Sequence, residues 1–475
     1  NRDLSKLQQL RDAEQDLFMD VFQMAYINRS FTKARKGGTE PVDLDILGVI
    51  TQHIDNVIQY SSMAMPIRDA QKIISHPRFR KAIIATQGEK VYNEYRRWLM
   101  DTANPRGMRA KDDAGKFISL LRHNATAVIL GWKLAVSAVQ ALSITQTIHA
   151  LNRKHGGQKG IGHVRRATME YIRNRTAVRE FVHGVSQEMK QRRNSYDREV
   201  KDYINNKMDK KLKKGKGINK MDWDETLFVM ITAVDDQTTM TTWLAAFNSI
   251  YDVATDNMDE AVQFADSVVR TTQPTGEVVN MPSIMRGGPW MKNFTMFMSH
   301  FINFHNLMLM EMDRMRISKK HPMRKLANFA EAYFWLVAAP SIAATFIRSG
   351  GEEDDWETYL RDMFLYQFSG LFLARDLTSA MVRGFDFGKS PAFSAGEYLV
   401  YAVRSKDWQK KAVNAAKALS LGGIKIPHQV INSADGLIDL LQGETKDLRR
   451  IIMTEYQLHG KGKKSKGKKP KPRAY

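Results

Sequence analysis

Cysteine is absent from this 475-residue sequence. A disulfide framework, thiolate-bound zinc, a cysteine-ligated cluster and a cysteine nucleophile are therefore all excluded. Proline is scarce, at 13 residues, while Met reaches 26 and long stretches are dominated by Ala, Leu, Lys, Arg and Gln. This mixture favours helices and argues against a sandwich or barrel. The composition predicts an all-α protein.

The usual catalytic signatures are missing as well. The sequence contains no HExxH, GxSxG, Walker loop or dinucleotide fingerprint, and the glycine-rich run at 156–162 follows no predicted strand. His300 and His305 are five residues apart, so they do not share a helix face as a metal-binding pair would. We interpret the acidic clusters Asp235–Asp236 and Glu352–Asp355 as turn and helix-cap residues. We predict no enzyme, no metal and no cofactor.

No secretory signal is visible, and no apolar run clearly reaches the roughly 20 residues needed to cross a bilayer. The nearest are Leu134–Asn152, Asn293–Met310, Ala332–Ile347 and Met363–Ala374. Each is typical of a buried helix, yet such Met- and aromatic-rich helices could also repack against a membrane or a second subunit. The candidate membrane or oligomer interface residues are Phe294, Phe297, Phe301, Phe304, Phe334, Trp335 and Phe346.

Positive charge is what the chain has in excess, with a formal net charge of +21. Residues 152–220 carry a net charge of +13 and residues 459–475 carry +8, so the rest of the chain is formally neutral. The second segment has no hydrophobic periodicity and is predicted to be a disordered arm. It could contact phosphate or could simply keep the protein soluble.

The first basic segment reads as a helix from about Gly162 to Asp209, followed by a Lys-rich linker. Its apolar positions alternate with arginines, a pattern that suits a duplex or a membrane surface but also an ordinary solvated helix face. The predicted partner is double-stranded DNA, bound without sequence preference. The predicted phosphate contacts are Arg153, Lys154, Arg165, Arg166, Lys210, Lys211, Lys213, Lys214, Lys461, Lys463, Lys464, Lys466, Lys468, Lys469, Lys471 and Arg473.

Charge and chain punctuation divide the sequence into five predicted regions. These are an N-terminal helical region (1–113), an apolar helical block (114–152), a basic helix and linker (153–220), a main helical region (221–458) and the disordered basic tail (459–475). We expect an elongated multi-helix assembly of long amphipathic and apolar helices. The first residue is Asn1 rather than Met, so we also expect either a processed chain or a segment of a longer polypeptide.

Residues 265–307 resemble a segment of the very large polyvalent proteins of short-tailed bacteriophages. In that family an Arg-x-Thr-Gln element precedes a short loop and an aromatic helix ending in Asn. The region 124–146 is similar to an earlier apolar block of the same proteins. The matching positions of the first segment are Arg270, Thr272, Gln273, Phe294, Phe297, Phe301, Asn303 and Asn306.

The resemblance implies an internal virion or ejection protein that leaves the capsid with the genome. Its expected location is the inside of the capsid and then the host envelope. Its expected partners are further copies of itself, other core, portal or ejection proteins, and the host membrane. Two alternatives stay open: a packaging protein that binds nucleic acid without any membrane role, and an enzymatic module of a polyvalent phage protein.

Overall fold

The structure, a computed structural model, describes ten ranges of the chain. They are residues 65–103, 141–192, 228–274, 280–288, 299–319, 321–348, 356–367, 391–405, 407–421 and 427–452, with isolated positions at 54, 62–63, 119, 122–124, 126–128, 291–292, 295, 454 and 458. Every regular element in these ranges is a helix, and no strand occurs among them. The all-α prediction is confirmed.

The chain forms two compact units. The smaller one contains a helix over residues 65–75, α1 (Pro77–Gln87), α2 (Glu89–Ala103) and a 3-10 turn at Ser283–Arg286. Its core is the apolar cluster Ile67, Ile74, Tyr92, Leu99 and Ala103. The buried Arg286 guanidinium donates to Asp101 Oδ2 at 2.6 Å and to the carbonyl of Met281 at 3.1 Å. This ion pair fixes the 3-10 turn against the end of α2.

The larger unit holds all the remaining described helices. In chain order they are a 3-10 turn (Ala141–Ser143), α3 (Ile144–His155), α4 (Lys159–Arg173), α5 (Arg175–Val185), α6 (Gln187–Arg192), α7 (Val229–Ile250), α8 (Met258–Thr272), α9 (Ser299–Ile317), α10 (Pro322–Tyr333), a π turn (Phe334–Ala338), α11 (Ala339–Arg348), α12 (Trp356–Gln367), α13 (Pro391–Arg404), α14 (Trp408–Leu419), α15 (His428–Leu441) and a 3-10 turn (Leu448–Ile451). The two units do not follow the five regions predicted along the sequence. α3 runs without a break across the predicted boundary at residue 152.

α3 is the central helix of the larger unit and packs against α4, α7, α8 and the π turn. Seven of its twelve residues are buried, and five of those seven are polar: Thr145, Gln146, Thr147, His149 and Asn152. Burying polar side chains is costly unless they find hydrogen-bond partners, so the helices around α3 must supply them. The core cluster around it includes Leu151, Trp243, Ala265 and Val269.

The basic helix predicted over residues 162–209 is interrupted within its described part. α4, α5 and α6 are separated at Asn174 and Ser186, where the backbone leaves helical geometry. Ser186 Oγ accepts from the Met189 amide at 3.0 Å and donates to Asp266 Oδ1 at 2.6 Å. Serine competes for local backbone donors in this way and caps the next helix, which explains the break.

Candidate nucleic-acid interface

The turn between α3 and α4 is built from the glycine-rich run. Gly156 and Gly157 have φ angles of +71° and +69°, in the left-handed region that side chains other than glycine rarely adopt. The Gly156 amide donates to the carbonyl of Asn152 at 2.8 Å and closes α3, after which α4 starts at Lys159. The glycines therefore make a tight helix-to-helix connection.

Close packing fixes this turn in place. A Cβ at Gly160 would collide with the carbonyl oxygen of Ile148, so only glycine allows α4 to approach α3 this closely. Asn152 Oδ1 accepts from the Gly160 amide at 2.7 Å, and Asn152 Nδ2 donates to Glu331 Oε1 at 2.7 Å. Both ends of a buried amide side chain are satisfied, which makes the crossing of the two helices rigid.

An exposed basic surface starts at this turn and continues along α4. Lys159, Arg166 and Arg173 are spaced seven residues apart, so they lie on one line of the helix about 10.5 Å from each other. Lys154 at the end of α3 and Arg165 on α4 are exposed beside them. No described carboxylate is ion-paired with any of these five side chains. We call Lys154, Lys159, Arg165, Arg166 and Arg173 the α4 basic face.

Two histidines lie within this surface. The rings of His155 and His163 are stacked, with centroids 5.2 Å apart and planes 26° from parallel, and Arg166 Nη2 lies 3.4 Å from His163 Nδ1. Burial, followed by the charges of Lys154 and Lys159, lowers the pKa of His155. Burial, followed by Arg166, His155 and Lys159, lowers the pKa of His163. A bound anion would reverse these effects.

The predicted phosphate contacts do not all belong to the α4 basic face. Lys154, Arg165 and Arg166 are exposed on it, whereas Arg153 is half-buried and ion-paired with Glu311 at 3.4 Å. An arginine held by a buried carboxylate is not available to phosphate, so the prediction for Arg153 is wrong for this fold. Lys210, Lys211, Lys213, Lys214 and the eight cations of the tail lie outside the described residues.

Asp236 holds the neighbouring arginines of α5 in the same way. Its carboxylate is 3.6 Å from both Arg175 and Arg179, and Tyr171 donates to it at 2.8 Å. Burial, followed by the hydrogen bond to Asp236, raises the pKa of Tyr171. Asp235 and Asp236 lie inside α7, so the prediction that they belong to a turn or a helix cap is wrong.

The Arg-x-Thr-Gln element proves to be part of the core. Gln273 is 1% exposed; its Oε1 accepts from Ser143 Oγ at 2.7 Å, and its Nε2 donates to Thr242 Oγ1 at 3.1 Å and to Thr147 Oγ1 at 3.3 Å. Arg270 pairs with Glu188 at 3.3 Å on the surface. Gln273 therefore joins α3, α7 and α8, a structural role that no local pattern in the sequence indicated.

Of the residues predicted to contact a membrane or another subunit, some are buried and others are exposed. Phe304 and Trp335 are buried, Phe304 in a cluster with Tyr366 and Leu336, so neither reaches an interface in this fold and that prediction is corrected. Phe334 and Phe346 are 47% and 54% exposed. Phe294, Phe297 and the side chain of Phe301 lie outside the described residues.

Phe334 and Phe346 lie on the one helix in the described part of the chain that is long and apolar enough to cross a membrane. It runs over Pro322–Ile347, 26 residues in all, and its most apolar stretch has a mean hydropathy of 1.4 and is half buried. Length and composition alone do not separate such a helix from a core helix.

The larger unit contains one small cavity among its described residues that bears on catalysis. A cavity of about 40 Å³ is lined by residues of α5, α6 and α7, among them His183, Arg192 and Asp235. A space of that size suits one or two waters rather than a metabolite. In the described part of the chain, no three His, Asp or Glu side chains come close enough to hold a metal ion.

Comparisons with known proteins leave the α4 basic face as the main guide to function. No family model matches this sequence, and neither a curated protein nor a solved structure matches it.

Proposed function

We propose that this protein is an internal virion protein of the ejection class. It binds duplex DNA without sequence preference inside the capsid, leaves with the genome, and self-associates into a conduit at the host envelope. The observation that carries the proposal is the α4 basic face, where five exposed cations lie on a closely packed helix pair and none of them is ion-paired with a described carboxylate. Its partners are DNA, further copies of the chain, other core or portal proteins, and the host membrane.

The chemistry of the α4 basic face favours a polyanion over a small acidic ligand. A line of three cations about 10.5 Å apart can contact phosphates at several points along a duplex. Arg175 and Arg179, one helix further on, are held by Asp236. Phosphate contacts of this kind provide affinity and carry no base information, which suits a protein packed against a whole genome.

The conduit part of the proposal rests on the helix that begins at Pro322. Two pairs of apolar side chains are exposed on this helix, each pair one turn apart: Ala330 with Phe334, and Ile342 with Phe346. Exposed apolar side chains of this kind favour contacts with another subunit or with lipid. They support an ejection protein over a packaging protein that only binds nucleic acid.

The DNA arm of the proposal is tested by a salt titration on the full chain. A variant with Lys159→Ala, Arg166→Ala and Arg173→Ala removes three phosphate contacts. The slope of log K against log salt should flatten by roughly 2–3 units, because each contact contributes about 0.9. A control with Lys410→Ala, Lys411→Ala and Lys446→Ala removes three exposed cations far along the chain from α4. Equal slopes in wild type and the α4 variant would contradict the proposal.

The membrane arm is tested by flotation with vesicles of neutral phosphatidylcholine. Neutral lipid removes the contribution of the basic segments, so binding must come from apolar surface. An ejection protein should float with these vesicles. A chain that binds DNA but stays at the bottom of the gradient would favour the packaging alternative.

A further inference from the structure

We propose that the α3–α4 turn is a proton-coupled phosphate site, in which the stacked His155 and His163 act with Lys154, Lys159 and Arg166 to bind a DNA backbone phosphate. The proposal rests on the DNA binding proposed above and adds a chemical rule to it. DNA binding at this turn takes up protons, so the protein holds DNA more tightly as the pH falls.

The first argument is the assembly of the site. Five basic side chains from two helices meet at one turn, and that turn is held by the Gly160 contact and the two hydrogen bonds of Asn152. The charged groups that act on the two imidazoles are Lys154 from α3 and Lys159 and Arg166 from α4. From α8, the Phe264 ring lies 5.1 Å from Lys154 Nζ. None of the described groups acting on these histidines is an acid.

The second argument is the hydrogen bonding of the two rings. Arginine can only donate, so His163 Nδ1 accepts from Arg166 and the neutral ring carries its proton on Nε2. Protonating Nδ1 would set two donors against each other. A phosphate oxygen placed between them would accept from both. On the other ring, His155 Nε2 is buried and has no hydrogen-bond partner among the described residues.

The direction of the coupling follows from the electrostatics. Burial and neighbouring cations lower the pKa of both histidines in the free protein, so the neutral form of each ring is favoured there. A phosphate favours the charged imidazolium and raises the pKa of each ring in the complex. The affinity for DNA therefore rises as the pH falls through the raised pKa values of the two histidines in the complex. It levels off once the pH is below the pKa values of the free protein.

DNA is favoured over an anionic lipid headgroup as the source of the phosphate. The site is the first position of the line that continues through Arg166 and Arg173 for about 21 Å along α4, which suits a linear polyanion. A single headgroup would use only the turn. The lipid therefore becomes one outcome of the test.

The experiment measures the affinity of the full chain for a short duplex of random sequence between about pH 8 and pH 6. Wild type should gain about tenfold per pH unit, corresponding to one proton taken up. The double variant His155→Gln, His163→Gln should lose most of this gain. His76→Gln, at an exposed histidine that precedes α1 in the smaller unit, serves as the matched control and should behave as wild type.

A second readout does not depend on the variant folding. Calorimetry of wild type with the same duplex, in buffers of different ionisation enthalpy, should show uptake of about one proton near pH 6.5. No uptake would overturn the proposal, and so would a pH dependence that survives in the double variant or disappears in His76→Gln. The site would be assigned to lipid instead if binding to anionic vesicles depended on pH while binding to the duplex did not. A wild-type chain that binds no duplex at low salt at any pH would overturn the proposed function itself.

Discussion

Glu311 is a single buried carboxylate that pairs with several basic side chains and so keeps them from being available at the surface. It is 4% exposed on α9, where it contacts His149 and Arg153 of α3 and Arg314 of its own helix. Burial by itself raises the pKa of a carboxyl. The contacts with the three basic side chains outweigh burial here, and the pKa of Glu311 lies below its ordinary value. The carboxylate therefore links α9 to the central helix as an anion.

Replacing this anion should weaken the fold and change how stability depends on pH. Glu311→Gln should cost about 3 kcal/mol at pH 7, because a buried ion pair loses one partner. The folded-state pKa is lowered, so the contribution of Glu311 is present above its ordinary pKa of 4.5 and is lost as the pH falls through the folded value. The free energies of unfolding of wild type and Glu311→Gln, measured with urea, should differ less at about pH 3.5 than at pH 7.

The matched control is Glu180→Gln, which changes an exposed glutamate on α5. It should alter the free energy of unfolding by about 0.5 kcal/mol or less. If Glu311→Gln were as stable as wild type at pH 7, the carboxylate would not be the link between α3 and α9.

At the scale of an element, the helix starting at Pro322 has two distinct faces. Leu336 and Val337 are fully buried in the π turn, while Phe334 and Phe346 are exposed. Pro340 accounts for the π turn, because proline has no N–H and its ring crowds the carbonyl four residues earlier, which is that of Leu336. The wider turn also shifts the residues of α11 relative to those of α10.

Substitutions on the two faces should separate stability from association. Leu336→Ala should cost about 2–5 kcal/mol in urea unfolding, because it leaves a cavity in the core. Phe346→Ala should cost about 1 kcal/mol or less and should reduce flotation with neutral vesicles, whereas Leu336→Ala should leave flotation of the folded chain unchanged. If Leu336→Ala and Phe346→Ala lowered the free energy of unfolding equally, Leu336 would not face the core and Phe346 the surface, as described above.

At the scale of the whole molecule, two basic segments account for the entire net charge of +21. The tail over residues 459–475 carries eight of the cations and no acid. A lysine-rich segment of this composition is expected to bind phosphate through its charge density, so its contribution should add to that of the α4 basic face.

Deleting residues 459–475 should flatten the salt dependence of DNA binding by roughly 4–5 units if about five or six of the eight cations engage phosphate. Sequence preference should not change, and oligomer formation should survive because the deleted segment has no apolar face. The measurement is a salt titration of the intact and truncated chains. An unchanged slope would leave the α4 basic face as the main DNA contact and assign the tail another role.

Local sequence predicted the helices well where apolar periodicity and helix breakers agree. The sequence predicts one helix in the stretch Trp223–Ala254, which is rich in Thr, Met and Ala, and a second over Met258–Arg270. They correspond to α7 and α8, which run from Val229 to Ile250 and from Met258 to Thr272. Helix formation and termination depend on neighbours within a few residues, so they can be inferred from the sequence. The concentration of charge in residues 152–220 is likewise a property of the sequence alone.

What the tertiary structure alone decided is which side chains are available. Arg153 and Arg165 look alike in the sequence, yet Arg153 pairs with Glu311, 158 residues away, and Arg165 stays exposed. Gln273 gains its role from Ser143 and Thr147, more than 120 residues earlier. The burial of Phe304 and Trp335 is decided in the same way. Such pairings depend on which helices pack together, and that packing is a property of the whole chain that no local pattern encodes.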